Sequence, residues 1–215
     1  MKTHPIERLD TLDDLRKNYA LRQDAIRKRL SEFAAVPTSE YFYELMYCIL
    51  TPQSNAVHAD RVVSQLRTNG FHHREINPEP FLRAKENYIR FHHTKARYLI
   101  LLQYQFPTIA HKLSEPVPAS ELRDWLEGNV LGMGLKEATH FLRNIGKNNG
   151  LSILDRHILR TLKRLKVIRE IPKSMNRKKY LHVEKQFIKY STRIGIPVDE
   201  LDLLFWSMAT GEIRK

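Results

Sequence analysis

Apolar side chains recur at helical spacing through almost the whole chain, and no segment shows the sustained alternation of a half-buried strand. Prolines and glycines, such as Pro37 and the Asn69-Gly70 pair, separate the helical patterns. A long central helix is expected from about Thr94 to Phe106. The sequence therefore predicts an all-α protein.

Length, charge and cysteine content narrow the class of protein. A chain of 215 residues can bury one sizeable core or two small lobes, and no linker is long enough to separate independent domains. The net charge of +12 favours a polyanionic partner. The single cysteine, Cys48, cannot form an internal disulfide, which fits a reducing cytoplasm. Neither a membrane span nor a signal peptide is expected, since the chain has no sufficiently long apolar run.

The most informative motif is a tight turn between two helical patterns. Gly132 and Gly134 lie two residues apart, and a helix with an apolar face begins directly after them. Bare backbone amides at a helix start form a ready anion site. Lys136 follows immediately, and its amine is a possible nucleophile. These residues together suggest a protein that binds a phosphate backbone and performs covalent chemistry beside it.

This arrangement resembles the helix-hairpin-helix DNA glycosylases, most closely the type 2 8-oxoguanine DNA glycosylase/lyases. The matching residues are Gly132, Gly134, Lys136, Glu137, Ala138, His140, Phe141, Leu142, Arg143, Asn144, Ile153, Leu154, Asp155, Arg156, His157 and Ile158. Leu131 departs from the basic residue expected before the first glycine. The resemblance extends over nearly the whole chain.

The resemblance implies a helix-hairpin-helix glycosylase fold with two helical lobes flanking a DNA-binding cleft. Residues 38–148 are expected to form the central lobe with the hairpin. Residues 1–37 and 149–215 are expected to form the second lobe. The whole chain, 1–215, is expected to act as a single catalytic unit.

Two catalytic residues follow from the resemblance. Lys136 would attack the sugar C1′ atom, which requires an uncharged amine; desolvation or the nearby cations His140 and Arg143 would favour that state. Asp155 would stabilise positive charge on the sugar and help to move protons. An aspartate before an amphipathic helix is also an ordinary helix N-cap, and the two roles are compatible.

The resemblance also implies contacts to the DNA and to the damaged base. The residues expected to contact DNA are Gly132, Met133, Gly134, Gln53, Arg156 and Arg160, with Gln53 filling the gap left by a flipped nucleotide. The residues expected to bind the base are Trp206, Lys215 and Phe91. The plainer alternatives are an ordinary loop glutamine and core aromatic residues.

No cofactor is expected, apart from a monovalent cation that hairpin carbonyls could hold, as the resemblance allows. One cysteine is too few for the four-cysteine iron–sulfur cluster of some related glycosylases. No metal site is expected either. The pairs His72-His73 and His92-His93 are adjacent in sequence, and neighbouring residues do not share a helix face.

The resemblance, together with these residues, implies a bifunctional DNA glycosylase and abasic-site lyase. Its substrate would be 8-oxoguanine in double-stranded DNA, and the enzyme would act as a cytoplasmic, nucleoid-associated monomer. One alternative is a helix-hairpin-helix glycosylase for another damaged base, such as an oxidised pyrimidine; the missing cysteine cluster and the terminal lysine argue against it. The other is a non-catalytic DNA-binding hairpin protein, which would need neither Lys136 nor Asp155.

Overall fold

The computed structural model describes residues 11–213, and every regular element in that range is helical, as the sequence predicts. The helices are α1 Leu12–Ala34, α2 Tyr41–Leu50, α3 Ala56–Thr68, α4 Glu79–Arg83, α5 His92–Ser114, α6 Ala119–Asn129, α7 Leu135–Asn144, α8 Arg156–Arg164, α9 Arg177–Ile194 and α10 Val198–Thr210. Short 3-10 turns lie at Thr38–Glu40 and Lys85–Asn87. None of the helices in this part of the chain combines the length and the apolar character needed to cross a bilayer.

The chain forms two compact units. One contains the described residues 11–35 and 146–213, and the other is Val36–Ile145. The first unit therefore holds α1, α8, α9 and α10, and the second holds α2 to α7. The resemblance implies a central lobe of residues 38–148. Its start lies two residues after Val36, and its end lies three residues after Ile145.

In the first unit, α10 is the central helix, and α1, α8 and α9 all pack against it. Leu201, Leu204 and Phe205 are almost completely buried. A helix that is apolar on most sides is stable only when other helices surround it. Phe205 stacks on Phe187 of α9, with ring centroids 5.7 Å apart. The helix ends at Gly211, whose φ of 83° gives the left-handed cap typical of a helix terminus.

In the second unit, α2 is the central helix and contacts α3, α5 and α7. Every residue of α2 except Tyr43 is buried. The helix pair α6 and α7 forms the predicted hairpin, and α7 packs against α2. The hairpin is thus fixed to the core of its own unit.

Helix α5 is longer than the sequence suggests, because it runs from His92 to Ser114 and passes through Pro107. A proline inside a helix removes one backbone donor and costs stability. Here the turns after the proline bury Ile109 and Leu113 on the same side as Phe106. Burial of these side chains offsets the lost hydrogen bond, so the predicted end near Phe106 is wrong.

Candidate active site

The hairpin turn depends on Gly132 for two separate reasons. Its φ of 87° lies in the left-handed region, which side chains strongly disfavour. A Cβ atom at this position would also lie 2.8 Å from the Cδ2 atom of Tyr98. The predicted tight turn is therefore present, and it lies against α5.

The backbone N–H groups of Met133 and Gly134 both form hydrogen bonds within the hairpin. Gly134 is the N-cap of α7, and its N–H donates to Glu137 Oε2 at 3.3 Å. The N–H of Met133 donates to the carbonyl of Val130 at 3.2 Å, and the Met133 side chain is buried. Leu131 is the exposed hydrophobic side chain of the turn. The role of Gly132, Met133 and Gly134 in DNA binding stays a prediction.

Lys136 lies in the first turn of α7, and its side chain is 30% exposed. Its Nζ atom is 3.4 Å from Oε1 of Glu137, which is the same carboxylate that caps Gly134. The amine is therefore accessible at the start of a helix, and its closest charged partner is an anion.

From the sequence, His140 and Arg143 are expected to be the cations near Lys136. Both side chains are buried. Arg143 Nη2 donates to Asn144 Oδ1 at 3.2 Å, and Asn144 Nδ2 donates to Glu44 Oε2 at 3.1 Å. The reason is that α7 packs closely on α2, so its polar side chains pair within the core.

Lys95 of α5 is a buried lysine that the sequence analysis missed. Its Nζ atom donates to the carbonyls of Leu50 and Pro52, both at 2.7 Å. Burial lowers the pKa of Lys95 to about 8; the carboxylate of Glu137 opposes this shift, and the charge of Lys136 adds to it. A signal was available: Lys95 falls at helical spacing with buried leucines of α5, where a lysine is unusual.

Gln53 and Phe91 both have a left-handed backbone, with φ values of 56° and 60°. Gln53 lies in a turn that is closed by a 3.0 Å bond from Ser54 N–H to the Thr51 carbonyl. A proline before a residue with positive φ is typical of a type II turn. Both Gln53 and Phe91 are exposed. A left-handed backbone is strained for residues other than glycine, and such strain is often found at functional sites.

In the other unit, Asp155 is the N-cap of α8, as predicted. Its Oδ1 atom accepts a 2.8 Å hydrogen bond from the N–H of Ile158, and the side chain is partly exposed. The helix that follows is amphipathic, also as predicted. Its exposed basic side chains are Arg156, Arg160, Lys163 and Arg164.

Three side chains fix the backbone that leads into Asp155. The N–H groups of residues 152–154 donate, in order, to Glu184 Oε1 at 3.2 Å, Asp202 Oδ2 at 2.8 Å and Tyr180 Oη at 3.3 Å. All three acceptors are buried side chains of α9 and α10. Sequence reasoning missed them, because each falls within an ordinary helical pattern.

The base-binding residues predicted from the resemblance are only partly within the described chain. Trp206 lies on α10, one turn after Asp202, and is partly exposed rather than fully in the core. Lys215 lies outside the described residues. The proposed roles of Trp206, Lys215 and Phe91 stay predictions.

One group of possible metal ligands was not anticipated. The ligand atoms of Glu79, His92 and His93 lie within 4.8 Å of one another, and His93 Nδ1 is 2.9 Å from Glu79 Oε1. Adjacent histidines alone did not indicate a site; it is α4 that brings the glutamate to them. The group is partly exposed at the start of α5.

Comparison with known proteins decides the family. Residues 26–196 match the family model described as 8-oxoguanine DNA glycosylase. The chain belongs to the 8-oxoguanine DNA glycosylase family. An 8-oxoguanine DNA glycosylase/AP lyase of Fusobacterium nucleatum is 36% identical to it, across 94% of this chain and 97% of that protein. A protein of the same name from Methanocaldococcus jannaschii is 34% identical, across 90% of this chain and 93% of that protein.

Solved structures of the family share the fold. The 8-oxoguanine DNA glycosylase of Thermotoga maritima matches with a TM-score of 0.82 and 29% identity, across 95% of this chain and 98% of that one. The M. jannaschii enzyme, solved with a 15mer DNA containing 8-oxoguanine, matches with a TM-score of 0.81 and 32% identity, across 94% and 99%. The predicted helix-hairpin-helix glycosylase fold is confirmed.

Proposed function

We propose that this protein removes 8-oxoguanine from double-stranded DNA and cleaves the resulting abasic site, acting as a monomer. The observation that carries the proposal is the nearly full-length match to relatives named 8-oxoguanine DNA glycosylase/AP lyase. The chain supplies the two groups such chemistry needs: an accessible amine at Lys136 and a rigidly held carboxylate at Asp155.

The proposed reaction begins with the uncharged amine of Lys136 attacking the sugar C1′ atom. The C1′–N9 bond breaks, and its electron pair leaves with the base, which takes up a proton. The attached nitrogen loses a proton, and its lone pair then breaks the C1′–O4′ bond. O4′ takes up a proton, and the opened sugar is held by a protonated imine between Lys136 Nζ and C1′. The imine acidifies the C2′ proton; its removal expels the 3′ phosphate by β-elimination and cuts the strand. No cofactor is needed, because every electron pair comes from the amine or the sugar.

Asp155 supplies negative charge where the sugar becomes positive. Its Oδ1 atom is used by the helix cap, which leaves Oδ2 available for the sugar or for a proton. Because residues 152–154 are fixed by three buried side chains, the carboxylate does not need to reorganise during the reaction.

The DNA would be held mainly by phosphate contacts. Arg156 and Arg160 begin an exposed basic face on α8, and the chain carries a net charge of +12. The hairpin turn would approach the backbone closely, and its carbonyls could hold a monovalent cation. The exposed Gln53 would enter the duplex, and Phe91, Trp206 and Lys215 would contact the extruded base.

Two alternatives are less well supported. A glycosylase for an oxidised pyrimidine would share the fold, but the relatives named above are named for 8-oxoguanine. A DNA-binding hairpin protein without catalytic activity would require neither Lys136 nor Asp155 at the positions that match the family motif.

The test is incubation with a duplex that contains one 8-oxoguanine, with a guanine duplex of the same sequence as control. We expect free 8-oxoguanine and a nicked strand from the first duplex only. Nicking of a duplex with an oxidised pyrimidine, but not of the 8-oxoguanine duplex, would favour the first alternative. Binding without release of any base would favour the second.

A further inference from the structure

The segments that carry Gln53 and Phe91 are connected through one buried lysine, Lys95. Gln53 is proposed to enter the duplex, and Phe91 is proposed to contact the extruded base. Four non-glycine residues of the described chain have positive φ: Gln53, Phe91, Asn149 and Lys166. Lys95 lies next to the first two of these. Its side chain bonds to the turn that contains Gln53. Its backbone N–H makes an ordinary helical bond of α5, to the Phe91 carbonyl at 2.9 Å, so the lysine side chain can reach the Phe91 segment only through other groups.

The ammonium group of Lys95 has three acceptors for its three hydrogens. Two are the carbonyls of Leu50 and Pro52, and the third is the hydroxyl of Ser54 at 3.2 Å. The Leu50 carbonyl is at the C-terminus of α2, where backbone acceptors lack helical partners and a positive charge is favourable. One side chain therefore fixes both sides of the turn around Gln53.

The hydroxyl of Ser54 extends this connection to the other strained segment. Besides the bond from Lys95, it accepts a 3.0 Å hydrogen bond from the N–H of Arg90, the residue before Phe91. The Arg90 guanidinium lies 4.9 Å from the centre of the Phe91 ring. The Gln53 turn and the Phe91 segment, 36 residues apart at Ser54 and Arg90, therefore share one anchor.

We propose that Lys95 is a positioning residue for base extrusion, which holds the Gln53 turn and the Phe91 segment in their strained, exposed geometry. Strained backbone persists only where the surroundings over-determine it. The three charge-assisted bonds of Lys95, one to the end of α2 and two to the turn that follows, provide this. The inference rests on the proposed function, because it assigns to Lys95 a part in the step that precedes attack on the sugar.

The step can be isolated with two substrates. An 8-oxoguanine duplex requires extrusion of a base, whereas a duplex with a preformed abasic site presents no base to extrude. Lys95→Met removes the charge and the three donors at similar length. We expect its single-turnover excision of 8-oxoguanine to fall about 100-fold, because small displacements of positioning groups cost that much. Cleavage of the abasic duplex should fall far less.

Two further variants separate positioning from folding. Lys95→Arg keeps charge and donors and should restore part of the excision rate. Gln53→Ala should slow excision in the parent but change little in the Lys95→Met background, since the side chain there is already misplaced. Lys85→Met, at an exposed lysine of the same unit, is the matched control and should behave like the parent.

Equal losses on both substrates, or full additivity of Gln53→Ala and Lys95→Met, would overturn the positioning role and leave Lys95 as a core residue. Parental excision by Lys95→Met would also overturn it. A parent protein without activity on either substrate would instead refute the proposed function, so the two failures are distinguishable.

Discussion

Oδ2 of Asp202 accepts a 2.8 Å hydrogen bond from the backbone N–H of Ile153, 49 residues earlier in the chain. Both groups are buried, so the bond is not weakened by exchange with water. Ile153 lies two residues before Asp155, and Trp206 lies one turn after Asp202 on α10. One helix therefore carries both the anchor for the proposed catalytic carboxylate and the proposed base-stacking side chain.

Replacement of Asp202 should reduce both stability and catalysis. Asp202→Ala leaves the buried N–H of Ile153 without this acceptor, so the free energy of unfolding should fall by about 1–3 kcal/mol. Excision should also slow, because the segment that leads to Asp155 becomes less fixed. Urea unfolding and single-turnover excision test this, with Asp199→Ala on the same helix as control. Parental values for Asp202→Ala in both assays would show that Asp202 does not fix the segment before Asp155.

Asp155→Asn separates the cap from the chemistry. An asparagine side chain can still accept the hydrogen bond from Ile158, so the melting temperature should stay close to that of the parent. The neutral amide cannot stabilise positive charge on the sugar, and excision should fall by about 100-fold or more. Thermal unfolding and single-turnover excision measure the two effects. Excision within a few-fold of the parent would reduce Asp155 to a structural cap.

The two hairpin glycines should respond differently to alanine. Gly132→Ala places a Cβ atom 2.8 Å from Tyr98 Cδ2 in a left-handed backbone, which alone costs about 1–2 kcal/mol. Gly134 has a φ of −100°, and an added Cβ atom would meet only the flexible Glu137 carboxylate, at 3.1 Å. Thermal unfolding and affinity for undamaged duplex should show the larger loss for Gly132→Ala. Equal losses would contradict the geometry of the turn.

The pH dependence of stability should report the burial of Lys95. Its pKa is lowered to about 8 by burial, against 10.5 for a free lysine. Between these values the unfolded chain binds a proton that the folded protein does not, so the contribution of Lys95 to stability rises with pH. The unfolding free energy of the parent minus that of Lys95→Met should therefore increase from pH 8 to pH 10, because only the parent gains stability from this group. A difference that is constant or falls would mean that folded Lys95 remains charged.

The sequence was sufficient for features with a local cause. Helical spacing predicts the all-α class, the glycine spacing predicts the hairpin turn, and an aspartate before an amphipathic pattern predicts the cap at Asp155. Each of these depends on residues within one or two turns. Family motifs added the proposed roles of Lys136 and Asp155, which spacing alone does not assign.

Features that depend on distant partners could not be predicted in this way. Lys95 and Asp202 act on backbone groups 45 and 49 residues away, measured to Leu50 and Ile153. Their burial arises only when the helices pack. The path of α5 through Pro107 has a similar origin, since burial beyond the proline outweighs a local rule.

Lys136 is proposed to form a covalent imine with the sugar, and chemical reduction during turnover would trap this intermediate. Borohydride added to the parent protein with an 8-oxoguanine duplex should give a stable protein–DNA adduct, visible by denaturing electrophoresis. Lys136→Gln should give none while still binding the duplex, and Lys85→Gln, at an exposed lysine, should trap like the parent. An undiminished adduct with Lys136→Gln would show that another amine is the nucleophile and would refute the proposed role of Lys136.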